Sequence, residues 1–263
     1  MMATEPTNLL SLAERHHQIL DKLKKEGSLN VLELCSALNV SSVTIRKDLK
    51  LLETKNLLFR THGGATLSNP YTSDRHVNEK EKIRAGEKMD IGRLGASLID
   101  PDDCIIIGSG TTVLSLARAI KPSGKLTVIT AALQVAAELN NHPAIEVMVL
   151  GGMLRKSSTS GTGYYAEQML EDFSCSKLFL GVDGIDTEFG ITTTHVMEAQ
   201  LNRKMMQAAQ KTIVVTDSSK FGKRGFGRIC GLEEVDQIIT DAGVSEHMQE
   251  KLKGLGIEVT IVA

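Results

Sequence analysis

Glycines and hydroxyl side chains gather where one predicted strand ends. Residues 104–107 form a short apolar run, and Gly108-Ser109-Gly110-Thr111-Thr112 follows it before a helical pattern over 113–120. Glycines let the backbone approach an anion, hydroxyls donate hydrogen bonds, and the free N–H groups of a helix N-terminus favour negative charge. The segment therefore favours phosphate binding. A tight strand-to-helix turn is the alternative, because Val113 replaces the third glycine of a dinucleotide-binding motif and a P-loop lysine is missing.

Three further polar segments also follow predicted strands. They are Gly151-Gly152, the segment 181–186 (Gly-Val-Asp-Gly-Ile-Asp) and the segment 217–220 (Asp-Ser-Ser-Lys). Open α/β sheets bind ligands at the carboxyl ends of their strands. There Lys220 can neutralise a phosphate, and Asp183 or Asp186 can accept hydrogen bonds from sugar hydroxyls. Turn-forming aspartates and a solvated lysine are the alternatives. The predicted ligand-binding residues are Ser109, Gly110, Thr111, Thr112, Gly152, Asp183, Asp186 and Lys220.

A second candidate site lies on a helix predicted over residues 42–52. Its apolar residues Ile45, Leu49 and Leu52 fall in one narrow sector at about 100° per residue, which is typical of a buried face. The opposite face offers a hydroxyl and three cations, a composition that suits the major groove of DNA. Arg46 can contact a guanine edge or a phosphate, and the lysines on this face can contact phosphates.

A β-hairpin is predicted directly after this helix. Residues 57–65 have the pattern of a strand, a Gly-Gly turn and a return strand, which together would form the wing of a winged helix-turn-helix. The alternative is a three-helix packing unit with a solvated basic face. The predicted DNA-binding residues of helix and wing are Ser42, Val43, Thr44, Arg46, Lys47, Lys50, Arg60 and His62.

The elements that position these residues separate into two domains. Helical spacing between residues 12 and 52, broken at 26–28 and 39–41, predicts three short helices. We place a winged helix-turn-helix domain at 11–66, a linker at 67–78 and an effector-sensing α/β domain at 79–263. In the last domain, helical patterns alternate with strands and predict a mainly parallel sheet. The strands are expected at 104–107, 126–130, 145–150, 177–182, 211–216, 235–240 and 257–262.

The composition argues against a membrane protein and against a secreted protein. The 263 residues are 41% hydrophobic and 24% charged, which is typical of a globular protein. Without an apolar run of 18 residues or a secretory leader, we expect a cytoplasmic protein with no membrane partner. The 4 cysteines lie far apart, and we expect no metal, no cofactor and no catalytic residue. Residues 1–66 carry 9 Lys and Arg against 7 Asp and Glu, in a chain whose net charge is -2.

The motifs resemble the DeoR family of transcription regulators along nearly the whole chain. In the N-terminal part the resemblance rests on residues 44–49 (Thr-Ile-Arg-Lys-Asp-Leu) and 62–65 (His-Gly-Gly-Ala). In the C-terminal part it rests on residues 109–112, 179–186 and 217–222. The resemblance implies operator binding through helix 42–52, a C-terminal domain related in fold to ribose-5-phosphate isomerase, and a sugar phosphate as inducer.

Two departures from this family bear on the ligand. The family usually has Asp at the position of Gly108 and Asn-Ser at Ala131-Ala132. A carboxylate and an amide that could bind sugar hydroxyls are therefore missing beside the expected phosphate loop. The inducer is accordingly expected to differ, or to bind with altered selectivity.

These observations predict a repressor of a carbohydrate-catabolism operon. It would bind double-stranded operator DNA as a homodimer or homotetramer and be modulated by a phosphorylated sugar. One alternative is a sugar-phosphate isomerase-like enzyme with an accessory helical domain. Residues 192–204 lack the glycine run which that resemblance implies, however, and Glu198, the only carboxylate nearby, lies in a helical pattern. Another alternative is a module whose basic helix binds a protein. A steep fall of affinity as salt rises would indicate DNA binding instead.

Overall fold

A computed structural model describes residues 10–55, 57–61, 63–66 and 76–262 of the chain. The chain divides into two units between residues 73 and 74. Within the described ranges, every helix is too short or too polar to cross a membrane.

Three helices form the body of the N-terminal unit, as the helical spacing predicted. They are α1 (Leu12–Glu26), α2 (Val31–Leu38) and α3 (Ser42–Thr54). A polar N-cap residue precedes each helix: the side chains of Ser11, Asn30 and Ser41 accept hydrogen bonds from first-turn N–H groups. Asn39 ends α2 in the left-handed conformation with φ 50°, which lets the chain turn sharply into α3.

The core of this unit is one apolar cluster contributed by all three helices. Helix α3 buries Ile45, Leu49 and Leu52, the three residues whose spacing predicted a buried face. It also buries Asp48, and Nη2 of Arg15 on α1 donates to Asp48 Oδ1 at 3.1 Å. This ion pair joins α1 to α3 and offsets the cost of burying a carboxylate.

A three-stranded antiparallel sheet completes the N-terminal unit. It contains β1 (Ser28–Asn30), β2 (Phe59–Thr61) and β3 (Gly64–Thr66) in the order β1-β3-β2. The predicted hairpin corresponds to β2 and β3, whereas β1 was expected to be only a break between helices. Gly64 faces β1 so closely that a Cβ there would lie 1.7 Å from the carbonyl oxygen of Leu29.

The C-terminal unit alternates strands and helices. Its first helix starts at Val77, within the last two residues of the segment predicted as a linker. The helices are α4 (Val77–Lys82), α5 (Ala85–Ala96), α6 (Thr111–Ala119), α7 (Leu133–Leu139), α8 (Tyr164–Met169), α9 (Val196–Gln207) and α10 (Glu246–Gly254). The strands are β4 (Cys104–Ile107), β5 (Leu126–Thr130), β6 (Ile145–Val149), β7 (Met153–Arg155), β8 (Ser160–Thr162), β9 (Cys175–Leu180), β10 (Gly184–Asp186), β11 (Gly190–Thr193), β12 (Ala209–Val215), β13 (Gly227–Cys230), β14 (Gln237–Asp241) and β15 (Glu258–Val262).

Seven parallel strands build the main sheet, in the order β15-β14-β12-β9-β4-β5-β6. These are the seven strands that the sequence predicted. The prediction of an N-terminal winged helix-turn-helix followed by a mainly parallel α/β domain is confirmed. Both faces of the sheet are covered, since Ile106 joins one apolar cluster while its neighbours Ile105 and Ile107 join another.

The order of the strands reverses between β4 and β9. From β4 the chain proceeds to β5 and β6 on one side, and from β9 it proceeds to β12, β14 and β15 on the other. Such a reversal leaves a crevice outside the carboxyl ends of the two central strands. Two small antiparallel structures that the sequence did not predict, the hairpin β7-β8 and the sheet β10-β11-β13, add to the main sheet.

Substituting Gly64 tests the pairing of β1 with β3. Gly64→Ala places a methyl group against the Leu29 carbonyl and should lower the free energy of unfolding of the N-terminal unit by about 2–4 kcal/mol. Gly63→Ala is the matched control, because nothing lies within 4 Å of a Cβ at Gly63. Its effect should stay below about 0.5 kcal/mol. Urea denaturation followed by far-UV circular dichroism measures both variants, and equal losses would contradict the pairing.

Candidate functional site

The accessible side of α3 carries the residues predicted to contact DNA. Arg46, Lys47 and Lys50 are exposed, and Val43 is 59% exposed beside them. Ser42 and Thr44 lie half-buried in the first turn. The helix therefore separates its residues into a packed face and a cationic face.

The hairpin β2-β3 contacts the last turn of α3 through Arg60. The backbone N–H of Arg60 donates to Oε1 of Glu53 at 2.9 Å, and the guanidinium Nη1 lies 3.7 Å from Oε2. The Arg60 side chain keeps 40% of its surface exposed. The structure thus places Arg60 next to α3, whereas His62 lies outside the described residues.

A polar pocket lies at the carboxyl ends of β4, β9 and β12, where the strand order reverses. Gly110 precedes α6 with φ 126°, and no side chain caps this helix. The first N–H groups of α6 therefore lack partners within the helix and favour an anion. Six of the eight predicted ligand-binding residues line the pocket: Ser109, Gly110, Thr111, Thr112, Asp183 and Lys220.

The other two predicted residues, Gly152 and Asp186, are not among the residues that line the pocket. Asp186 ends β10, where it accepts hydrogen bonds from two backbone N–H groups and lies 2.8 Å from Nε of Arg224. It stabilises the β10-β11 turn, which was the alternative reading of this aspartate. Gly152 has φ 121°, and a Cβ there would lie 2.5 Å from the Thr162 carbonyl oxygen. Its role is to allow the close approach of β8.

Four charged residues outside the polar segments that the sequence singled out also line the pocket. Lys80 and Lys88 come from α4 and α5, Arg155 from β7 and Glu198 from α9. The two lysines lie in a highly charged stretch that looks like a solvated helix surface. Glu198 was noted only as a carboxylate in a helical pattern. Their positions depend on packing between distant elements, so no local motif indicates them.

Asp183 is the counter-ion of two pocket lysines. Lys80 Nζ donates to Asp183 Oδ1 at 3.0 Å, and Lys220 Nζ lies 4.0 Å from the same oxygen. The other oxygen, Oδ2, accepts from Thr193 Oγ1 at 3.1 Å and from the Thr194 backbone N–H at 3.2 Å. Burial alone would raise the pKa of Asp183, but the two ammonium groups and these hydrogen bonds outweigh it and lower the pKa to about 2.

Glu198 organises the opposite wall of the pocket. Its Oε1 accepts from Ser109 Oγ at 2.6 Å, and its Oε2 accepts from Thr193 Oγ1 at 3.2 Å and pairs with the Arg155 guanidinium. A carboxylate therefore stands beside the loop 108–112 even though Gly108 replaces the aspartate that is usual in the DeoR family, which the chain resembles. Ala131 and Ala132, the other departure from that family, are buried and are not among the lining residues.

Lys88 brings a buried positive charge to the pocket. Its side chain is 5% exposed, and its Nζ donates to the backbone carbonyls of Lys80 at 2.6 Å and Ile83 at 2.7 Å. Burial lowers the pKa of Lys88, although the charge of Asp217 opposes that shift. Together the described lining residues include four cations, Lys80, Lys88, Arg155 and Lys220, against three carboxylates, Asp183, Glu198 and Asp217. This balance suits an anionic ligand.

Comparison with known families gives a match in each unit. The "DeoR-like helix-turn-helix domain" matches residues 15–70, and the "DeoR C terminal sensor domain" matches residues 83–242. The first match contains α3 and the described strands β1, β2 and β3, and the second contains the lining residues from Lys88 to Lys220.

Several curated relatives are similar along most of their length. A putative aga operon transcriptional repressor from Escherichia coli O157:H7 is 36% identical over 95% of this chain and 94% of its own. The transcriptional repressor GlcR of Bacillus subtilis is 35% identical over 94% of this chain and 95% of its own. A lactose phosphotransferase system repressor from Lactococcus lactis is 34% identical over 90% of this chain and 94% of its own.

Similarity to solved structures is more distant. Ribose 5-phosphate isomerase A from Neisseria gonorrhoeae is 16% identical and covers 52% of this chain and 53% of its own, with a TM-score of 0.39. The sequence relatives named above are all regulators, which removes the isomerase alternative. The chain belongs to the DeoR family of helix-turn-helix transcription regulators and is not an enzyme.

Proposed function

We propose that this regulator represses a carbohydrate-catabolism operon and that a phosphorylated sugar modulates its binding to operator DNA. The observation that carries the ligand class is the pocket itself. Lys80, Lys88 and Lys220 surround the same space as the uncapped N-terminus of α6. A phosphate monoester carries a charge of about −1.5 to −2 and three strong acceptor oxygens, which match these donors.

The other wall of the pocket supports a sugar rather than a bare anion. Arg155 offers guanidinium donors, Glu198 offers carboxylate acceptors, and the Thr193 hydroxyl lies between the two carboxylates Asp183 and Glu198. Neighbouring donors and acceptors of this kind recognise vicinal hydroxyl groups. The names of the relatives, which include repressors of an aga operon and of a lactose phosphotransferase system, support sugar metabolism as the regulated process.

The N-terminal unit supports operator binding through α3. Its exposed cations can contact phosphates and base edges while Asp48 and the apolar residues hold the helix in place. A pair of such helices reads two half-sites, so we propose a homodimer or homotetramer on double-stranded DNA in the cytoplasm. Regulation then requires that the ligand bind the DNA-free and DNA-bound states with different affinities.

Replacing Arg46 tests the DNA-binding face. Arg46→Ala should weaken binding to promoter DNA of the chain's own operon by about 1–3 kcal/mol, because a base or phosphate contact is lost. Fluorescence anisotropy of labelled promoter DNA measures the affinity, and circular dichroism checks the fold. Lys24→Ala, which removes an exposed cation from α1, should change the affinity by less than about twofold. Undiminished binding by Arg46→Ala would refute the assignment of α3.

Replacing Lys220 tests the ligand class. A thermal-shift screen of sugar phosphates identifies the best ligand, and calorimetry then measures its dissociation constant. Lys220→Ala should raise that constant by about tenfold or more, since a hydrogen bond between two charged groups is lost. DNA affinity without ligand should not fall. Lys251→Ala, an exposed lysine on α10, is the control. If the screen of sugar phosphates identifies no ligand, that result would count against the proposed effector.

A further inference from the structure

A band of exposed apolar residues crosses the C-terminal unit beside the pocket. It runs over β7, the starts of α8 and α9, and the loop before β13. Each contributing residue keeps between 40% and 80% of its surface exposed. We call this surface the apolar band, and it consists of Met153, Leu154, Tyr164, Tyr165, Val196, Met197 and Phe226.

The β7-β8 hairpin brings its exposed residues next to α8 and α9. Met153 pairs with Thr162, which lies two residues before Tyr164 in the chain. A Cβ at Gly163 would lie 3.7 Å from Cε of Met197, so the starts of α8 and α9 lie side by side. The hairpin, α8 and α9 thus contribute to one continuous surface.

Phe226 joins this surface at the start of α9. It precedes Gly227, where a Cβ would lie 3.1 Å from the carbonyl oxygen of His195. His195 in turn precedes Val196, the first residue of α9. Because the two backbones approach each other this closely, the apolar band is a single patch rather than a set of scattered residues.

The side chains of the apolar band are of the types that protein interfaces prefer. Aromatic residues make up only 3% of the chain, yet two of its three tyrosines, Tyr164 and Tyr165, are exposed here. Their ring centroids lie 5.7 Å apart in an edge-to-face arrangement. Tyrosine and methionine are enriched in interfaces, and tyrosine offers a large contact area at a small cost in conformational entropy. This composition favours contact with another protein surface.

Arg155 and Glu198 hold the elements of the apolar band together from the pocket side. The Arg155 guanidinium pairs with Glu198, and its Nη2 donates to Thr194 Oγ1 at 3.1 Å. These contacts connect β7 with the first turn of α9, directly beside Leu154 and Met197 in the chain. A surface fixed in this way loses little conformational entropy when a partner covers it.

The exposed area of the apolar band matches what one partner contributes to a stable complex. A large side chain presents about 150–250 Å² when fully exposed, so the exposed fractions correspond to about 600–1,000 Å². Specific complexes bury about 800 Å² on each partner, whereas the largest apolar patch of a typical monomer measures about 300–600 Å². The apolar band therefore has the size of an interface.

Both signs of charge border the apolar band. Exposed Lys156 begins the turn of the β7-β8 hairpin, and Glu171 and Asp172 are exposed in the single helical turn after α8. In a two-fold contact, the cationic border of one copy can face the acidic border of the other. A partner with only one sign of charge would be repelled at one of the two borders. The observations therefore favour a second copy of this chain.

We propose that two copies of this chain associate through their apolar bands as a two-fold homodimer. Met153, Tyr164 and Tyr165 are the most exposed members of the band and contribute most of the contact. The inference rests on the proposed function, because a protein that reads two half-sites needs two copies. It goes further by assigning the contact to the C-terminal unit, on the wall of the pocket that also carries Arg155 and Glu198.

Sedimentation velocity of the full-length protein without DNA measures the assembly and its dissociation constant. Met153→Asp should raise that constant by about 30-fold or more, because it places an unpaired charge in a desolvated contact. Tyr165→Ala removes apolar surface without adding a charge and should raise it by about tenfold or more. Where the unmodified protein is fully assembled, Met153→Asp should have half its mass, whether the assembly is a dimer or a dimer of dimers.

Met89→Asp is the matched control. Met89 is exposed on α5, which packs on the opposite face of the main sheet from α8 and α9. The same substitution there should change the dissociation constant by less than about threefold. Circular dichroism checks the fold of all variants, and Tyr165→Ala decides the test if Met153→Asp is misfolded.

Hydrogen exchange locates the contact independently. Amides of residues 153–155 and 164–168 should exchange about threefold or more slowly at a protein concentration above the dissociation constant than below it. Amides of residues 85–92 on α5 should exchange equally at both concentrations. Protection on α5 alone would place the contact on the other face of the sheet and refute the assignment to the apolar band.

The inference and the proposed function can fail separately. A full-length protein that stays monomeric at all accessible concentrations, or an assembly that Met153→Asp and Tyr165→Ala leave unchanged, would overturn the inference. Arg46→Ala should assemble normally and lose DNA affinity, whereas Met153→Asp should lose assembly and, with it, affinity for an operator of two half-sites. If Arg46→Ala retains its DNA affinity, operator binding by α3 is refuted even when the apolar band assembles the protein.

Discussion

The parallel pairing of β4 with β9 is the constraint on which the ligand pocket depends. The register that places Ile106 beside Leu178 brings the loops after both strands to the same edge. There the backbones nearly touch, since a Cβ at Gly181 would lie 2.8 Å from the Ser109 carbonyl oxygen. The connections then diverge to opposite halves of the sheet, and the space between them becomes the pocket.

Charge balance shapes what this pocket can bind. Four cations and three carboxylates line it, and burying such charges is tolerable only because each has a partner. Asp183 is a counter-ion shared by two lysines, so an anion bound there, as we propose, would compete with an internal carboxylate. Glu198 and Arg155 are likewise paired with each other on the other wall of the pocket. These pairs are the basis on which we propose a ligand that carries more negative charge than one carboxylate and that also offers hydroxyl groups.

In the N-terminal unit, neighbouring residues of α3 serve either the surface or the core. Within one short motif, Arg46 and Lys47 point to solvent while Asp48 is buried against Arg15. The buried ion pair fixes the middle of α3, and the contact between Glu53 and Arg60 fixes its last turn. Preorganisation of this kind would reduce the entropy lost in the proposed binding of α3 to a DNA groove.

The sequence by itself determined the features that local physics controls. Periodicity and capping residues predicted α1, α2, α3 and the seven strands of the parallel sheet, and the order of elements placed the polar loops at strand ends. Only the tertiary structure decided which charges face the pocket. Lys88 and Glu198 reach it because distant helices pack over the sheet, while Asp186 turns away to cap a hairpin. Helix and strand patterns depend on neighbours a few residues apart, whereas a binding site depends on contacts across the whole fold.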